Sequence, residues 1–264
     1  MAAHAVTTIP DRQLLAQLHA AERQQMDNLC GCFWGSLALR ASGIDADQEA
    51  VALEAGAILP GGDPQTHVAP GATPRNDYRV ELPMAADPET AGTAAPQLAA
   101  AIRRMSGGAL AAIEVAGPWS GESVTAVLDR AGPAAVLIAN LRTALLWGSR
   151  PDPSVVLNHL AGAEPEPPPA DWDAGHFVEL ATIVRGPGGA LVVVRDTYQE
   201  LGLAAHHVQP PDRVAAALRR DDGREGGILA VCASAAAGDL RDRLRDAGLE
   251  LRGWDNGTPA AATS

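Results

Sequence analysis

Four residues, Gly186-Pro187-Gly188-Gly189, stand between two apolar runs, 176–184 and 190–197, and they narrow the choice of fold more than any other feature of the chain. Glycine reaches backbone conformations closed to other residues and proline fixes one torsion, so such a run reverses the chain tightly. It is no phosphate loop, because neither a helix nor a Lys follows. The two runs are therefore expected to be neighbouring antiparallel strands. Side chains alternate faces along a strand, and a cross-strand pairing keeps one register. With a three-residue loop Arg185 faces Gly189, and Asp196 falls opposite Val178, diagonal to His176 on one face. A two-residue loop turns Asp196 to the other face unless a bulge restores the parity.

The remaining pattern places helices early and strands late. Helical spacing of apolar residues is expected over 11–23, 33–41 and 46–59, the last ended by Pro60-Gly61-Gly62. Residues 60–97 are rich in Pro, Gly, Thr and Asp, with only 78–82 resembling a strand, and read as a flexible loop. Buried strands are expected at 110–115, 134–141 and 227–233, and helices at 122–130, 154–160, 212–220 and 239–249. This is an α+β chain, read as a single domain over 1–253: a helical part at 11–59, the loop, then a mixed helix and sheet part at 98–253. Residues 254–264 read as a tail.

Composition excludes several kinds of partner. Hydrophobic residues make up 47% of the chain but aromatic ones only 3%, so the core must be built mostly from Ala, Val and Leu. The net charge is −12, and with no Lys in the chain every fixed positive charge is an Arg. An acidic surface repels phosphate backbones and anionic lipid, so neither nucleic acid nor membrane is an expected partner. The first residues lack a basic stretch followed by an apolar one, and no apolar run reaches membrane-spanning length, so a cytoplasmic protein is expected. Three cysteines, Cys30, Cys32 and Cys232, cannot make a disulfide framework and fit a reducing compartment.

A thiol becomes a nucleophile when a helix N-terminus or a neighbouring imidazole favours its thiolate. Cys30 follows Asp27 and Asn28, residue types suited to capping a helix, so it is expected at a helix N-terminus. His176 opens one hairpin strand and Asp196 closes the other, which makes them the candidate base and the group that orients it. His206-His207 has no Cys or carboxylate at ligand spacing and reads as a surface loop, so no metal or other cofactor is expected. Trp119, Trp147 and Trp172 read as packing residues.

Gln24 to Gly31, a following helix, a distant Gly175-His176-Phe177-Val178 and a strand closing on Asp196 together resemble the cysteine peptidases that cleave double-glycine leader peptides, and their stand-alone relatives. The resemblance implies a papain-like fold in which N-terminal helices carrying the nucleophile pack on a C-terminal antiparallel sheet. It also implies a role for Gln24, six residues before Cys30, as a donor to the oxyanion alongside the backbone N–H of Cys30. Cys30-Gly31-Cys32-Phe33-Trp34 is also similar to the papain signature with one residue missing, a register in which Cys32 would be the nucleophile. The implied activity is hydrolysis of an amide or peptide bond through a thioester, on a peptide or small acyl substrate. Transfer of the same acyl group to an amine or thiol, and a non-catalytic peptide-binding role, are the alternatives.

Overall fold

The computed structural model describes residues 11–63, 68–132 and 134–259. The chain begins with α1 (Arg12–Ala21), capped by the Asp11 side chain, then α2 (Cys30–Arg40), α3 (Gln48–Ala55) and α4 (Ala95–Met105). Strand β1 (Leu110–Val115), α5 (Gly121–Arg130), β2 (Val136–Arg142) and α6 (Pro153–Leu160) follow. Strands β3 (Gly175–Arg185), β4 (Ala190–Arg195) and β5 (His206–Gln209) lead to α7 (Pro211–Arg219), β6 (Gly227–Ala233) and α8 (Ala237–Asp246). The six strands form one antiparallel sheet in the order β1-β6-β2-β3-β4-β5, so the molecule is α+β.

Alternation along the strands gives the sheet two apolar faces, and each is covered by helices. Leu137, Ala139, Val178, Val192 and Ile228 pack under α5, α7 and α8, whereas Val136, Ile138, Phe177, Leu229 and Val231 pack under α1 to α4. Within the second layer α2 is enclosed, with every residue from Gly31 to Leu39 buried. Its two glycines make that possible. A Cβ on Gly31 would stand 3.1 Å from Leu98 and 3.2 Å from Phe177, and one on Gly35 would stand 3.0 Å from Leu98 and 3.1 Å from Val51. The helix thus lies close against both α4 and the sheet, and its first residue, Cys30, is delivered to the end of β3 that carries His176.

The hairpin between β3 and β4 has a two-residue turn, Pro187-Gly188, closed by Gly186 N–H donating to Gly189 O at 2.8 Å. Arg185 pairs with Ala190 and Thr182 with Val193, but Leu180 pairs with Val194 and Glu179 with Arg195. Ala181 is therefore an inserted residue, a bulge, and it restores the parity that the short turn would have lost. Arg12 of α1 donates to Ala181 O and to Gly132 O, tying the bulge to the first helix.

Several expectations are corrected. Residues 78–82 form no strand: the Tyr78 hydroxyl donates to Asp27 O at 2.7 Å, and Arg79 is drawn to Asp47 and Glu49, so the backbone finds no strand partner there. The described part of 60–97 is anchored, with Ile58 bridging Gly92 and Leu59 bridging Met84, and its end is the start of α4, which begins at Pro96-containing sequence not read as helical. Residues 254–259 are no loose tail, because Trp254 is buried in the core and Asn256 donates to Thr93 O at 3.0 Å. Asp27 and Asn28 do not cap α2; Leu29 holds the N-cap position with no side-chain hydrogen bond.

Beyond the bulge, Glu179 is fully buried and pairs with Arg195 at 2.7 Å. Removing one member leaves an uncompensated buried charge, whereas removing both leaves none. Arg195→Met is expected to cost about 3–5 kcal/mol in denaturant unfolding, and the Glu179→Met, Arg195→Met double variant to recover most of it. A double variant as unstable as the single one would contradict this account of the pair.

Candidate active site

Cys30 opens α2, half-buried, at one end of a polar cleft of about 210 Å³ that it shares with Gln25, Asn28, Trp172 and His176. Because α2 has no side-chain cap, the N–H groups of its first turn are not consumed by a neighbouring side chain. Cys32, two residues on, points into the core with no exposed surface, and its thiol is hydrogen-bonded to the Thr93 hydroxyl at 3.3 Å. Burial pushes the Cys32 thiol up to about 12, so at neutral pH it is protonated and enclosed. Cys232 lies buried in β6 and is likewise raised by desolvation. Of the three thiols, only Cys30 faces the cleft.

His176 sits at the mouth of β3, buried to 2% exposure. Its Nε2 meets Asp196 Oδ1 at 3.0 Å, the contact that the bulge at Ala181 makes geometrically possible. The ring is held flat by aromatic neighbours: Tyr198 stacks on it with centroids 5.9 Å apart, and Trp172 approaches edge-on at 5.2 Å. Burial opposes the imidazolium, yet the Asp196 carboxylate and then the Cys30 thiol beside the ring outweigh it, and the net direction is upward. With Nε2 committed to Asp196, Nδ1 is the nitrogen left for Cys30.

Asp196 is held on every side. Its Oδ1 also accepts from Thr197 N–H at 2.7 Å and Tyr198 N–H at 3.2 Å, and its own carbonyl is bound by His19 Nε2 at 2.7 Å. Burial disfavours its charge, but His176, with a further contribution from His207, brings the carboxyl below its ordinary range.

Gln24 is not part of this group. Its side chain donates to Thr73 O, in the 60–97 segment, and it does not line the cleft. The neighbouring Gln25 does: its backbone N–H donates to Thr197 O at 3.2 Å, and its Oε1 accepts from the Thr197 hydroxyl at 2.6 Å. In the extended run before α2 the two glutamines point opposite ways, and a count of residues cannot tell which one faces inward. His207, read as a surface residue, is buried in β5 with Nε2 3.7 Å from Asp196 Oδ2. Arg220, which no sequence motif marks, lines the cleft with φ 58, paired to Asp222. Among the described residues no group of three or more His, Cys, Asp or Glu could hold a metal ion, and no helix is long and apolar enough to cross a membrane.

Two measurements follow from this geometry. Iodoacetamide at neutral pH, followed by peptide mapping of the native protein, should label Cys30 and spare Cys32 and Cys232, since only a thiolate reacts and only Cys30 is reachable; Cys32 labelled first would contradict it. The raised His176 contributes stability that is complete below about pH 6.5 and disappears as the pH rises through its folded value, and the lowered Asp196 contributes stability complete above about pH 3.9 and lost on acidification. Asp196→Asn should therefore lower the denaturant midpoint more at pH 5.5 than at pH 8.5, each about a unit from the ordinary histidine value or more. A penalty that grows with pH would reverse this assignment.

No curated protein and no solved structure matches the chain. A family model covers residues 9–255, and so spans every described helix and strand from α1 to α8. The chain belongs to that family, a family of unknown function (DUF6885).

Proposed function

We propose that the protein is a papain-like cysteine hydrolase that cleaves an amide or peptide bond through a thioester on Cys30. One observation carries this reading: the half-buried Cys30 thiol stands at the uncapped N-terminus of α2, beside an imidazole whose far nitrogen meets a buried carboxylate at 3.0 Å. Those are the parts that activate a thiol, a base and its orienting group. In the reaction, the Cys30 sulfur forms a bond to the substrate carbonyl carbon while the C=O electron pair moves to oxygen. His176 takes the thiol proton and returns it to the leaving amine as the C–N bond breaks. Water then attacks the thioester, gives its proton to His176 and releases the acid, with Cys30 leaving as thiolate. The backbone N–H of Cys30 and the Gln25 amide, rather than Gln24, are the proposed donors to the oxyanion.

The cleft wall is polar, with Asn140, Arg220, Arg224 and Asn256 among its residues, which suits a peptide or small acyl compound rich in hydrogen-bonding groups. Free thiols at all three cysteines suit a reducing, cytoplasmic setting.

Mass spectrometry of the protein after exposure to a panel of peptide and small acyl esters is expected to show an acyl adduct on Cys30. Cys30→Ala and His176→Ala should abolish turnover of the best ester to the same extent, and the double variant should be little worse than either. Asp196→Asn should leave measurable turnover. Gln25→Ala should lower kcat by about 10²–10³, the cost of losing one oxyanion donor, and Gln24→Ala should leave it unchanged. An adduct at another residue, or full turnover in His176→Ala, would sink the reading.

A further inference from the structure

Asp196 has a second imidazole on its other oxygen, and its protonation follows from backbone groups whose chemistry admits no choice. Gln209, the last residue of β5, has no exposed surface. Its carboxamide faces both polar groups of one residue: Oε1 lies 2.7 Å from Trp147 N, and Nε2 lies 2.9 Å from Trp147 O. A backbone N–H only donates and a backbone C=O only accepts, so oxygen and nitrogen of this amide cannot be exchanged. The remaining Nε2 hydrogen of Gln209 is then available to His207 Nδ1 at 3.0 Å, and Nδ1 must accept it. An imidazole that accepts at Nδ1 is neutral and carries its proton on Nε2, the nitrogen 3.7 Å from Asp196 Oδ2.

The strand register explains how these groups meet. His207 pairs with Val194, and Val194 with Leu180, so His207, Asp196 and His176 share one face of the sheet. On that face the His207 ring meets Asp196, and beyond the carboxylate lie His176 and the Tyr198 ring stacked on it. Arg195, Glu179, His206 and His19 belong to the opposite face, with Glu179, Arg195 and His206 joined across the strands. The turn packed against His207 Cβ, at Gly202, is held by Arg150 Nε donating to Gly202 O at 3.0 Å.

We infer that His207 is a positioning residue of the cleft: a neutral imidazole, its tautomer imposed by Gln209, whose Nε2–H faces Asp196 Oδ2 and keeps Oδ1 directed at His176 Nε2. The role rests on the reading of Cys30 and His176 as nucleophile and base. A neutral partner is what such a position requires. A second imidazolium beside Asp196 would share the carboxylate's charge and weaken its hold on the first, and an apolar residue would take away the N–H facing Oδ2 and leave the carboxylate's orientation to the Thr197 and Tyr198 N–H groups on Oδ1 alone.

The test has one arm on the unaltered protein and one on variants. Histidine ¹⁵N shifts of the full chain at neutral pH should show His207 unprotonated at Nδ1 and protonated at Nε2; a proton on Nδ1, or a doubly protonated ring, overturns the inference. In the second arm the rate of Cys30 alkylation by iodoacetamide is followed against pH. A thiolate–imidazolium pair gives the wild-type protein a plateau on the acid side of ordinary thiol ionisation, and His176→Ala should remove it. His207→Phe should lower that plateau, by about tenfold for each unit by which the pair is weakened. His207→Gln, which keeps a neutral donor, should restore most of it. A plateau lost in His176→Ala but intact in His207→Phe overturns the role of His207 alone. A wild-type profile with no plateau overturns the nucleophile reading, and this role with it. If His207→Phe does not fold, the ¹⁵N measurement decides.

Discussion

The pairing of His176 with Asp196 depends on one inserted residue in a β-ladder. A Pro187-Gly188 turn alone would set the strands so that the two side chains point to opposite faces, and Ala181 undoes that offset between the turn and the cleft. Its position matters as much as its presence. Nearer the cleft it would disturb the backbone that carries His176; where it lies, β3 regains regular pairing at Leu180 and Glu179 before reaching the histidine. The carbonyl that such a bulge leaves outside the ladder is bound by Arg12, so α1 and the hairpin are coupled although far apart in sequence.

A second constraint acts from the helical side. An enclosed helix contributes a precise N-terminus only if it cannot shift along its axis, and α2 is gripped by α4 at Gly31 and Gly35 and by Phe177 from β3. Phe177 is the residue after His176, pointing to the other face of the same strand. One short stretch of β3 therefore sets both the position of the imidazole and that of the helix presenting Cys30.

Much of this was legible in the sequence because it arises from local rules. Alternation and turn chemistry mark β3 and β4, and the need for either an odd loop or a bulge is a matter of parity, although nothing in Ala181 itself marks the bulge. The helical run after Cys30 is equally plain, since apolar residues fill it on all sides. What the sequence does not mark depends on long-range packing. Gln24 and Gln25 are chemically identical, and only the contact with Thr197, two residues past the end of β4, selects the second. β5 is four residues long and carries two histidines and a glutamine, a composition that reads as exposed until a buried carboxylate is placed beside it. The 254–259 segment is short, with no periodicity, and Trp254 finds its place only because Gly227 leaves room against the sheet.

That last segment bears on the order in which the molecule becomes complete. Asn256 and Thr258 form part of the cleft wall together with Thr93 and Ala91, to whose carbonyls they bond. On the ribosome the stretch carrying Cys30 emerges early, the hairpin carrying His176 and Asp196 much later, and this wall later still. While the chain is being made, Cys30 thus exists for most of the time without His176 beside it, and afterwards without one side of the cleft. Assembly of the cleft is in this sense deferred by topology, and Cys30 stands alone in the nascent polypeptide until residues distant in sequence close around it.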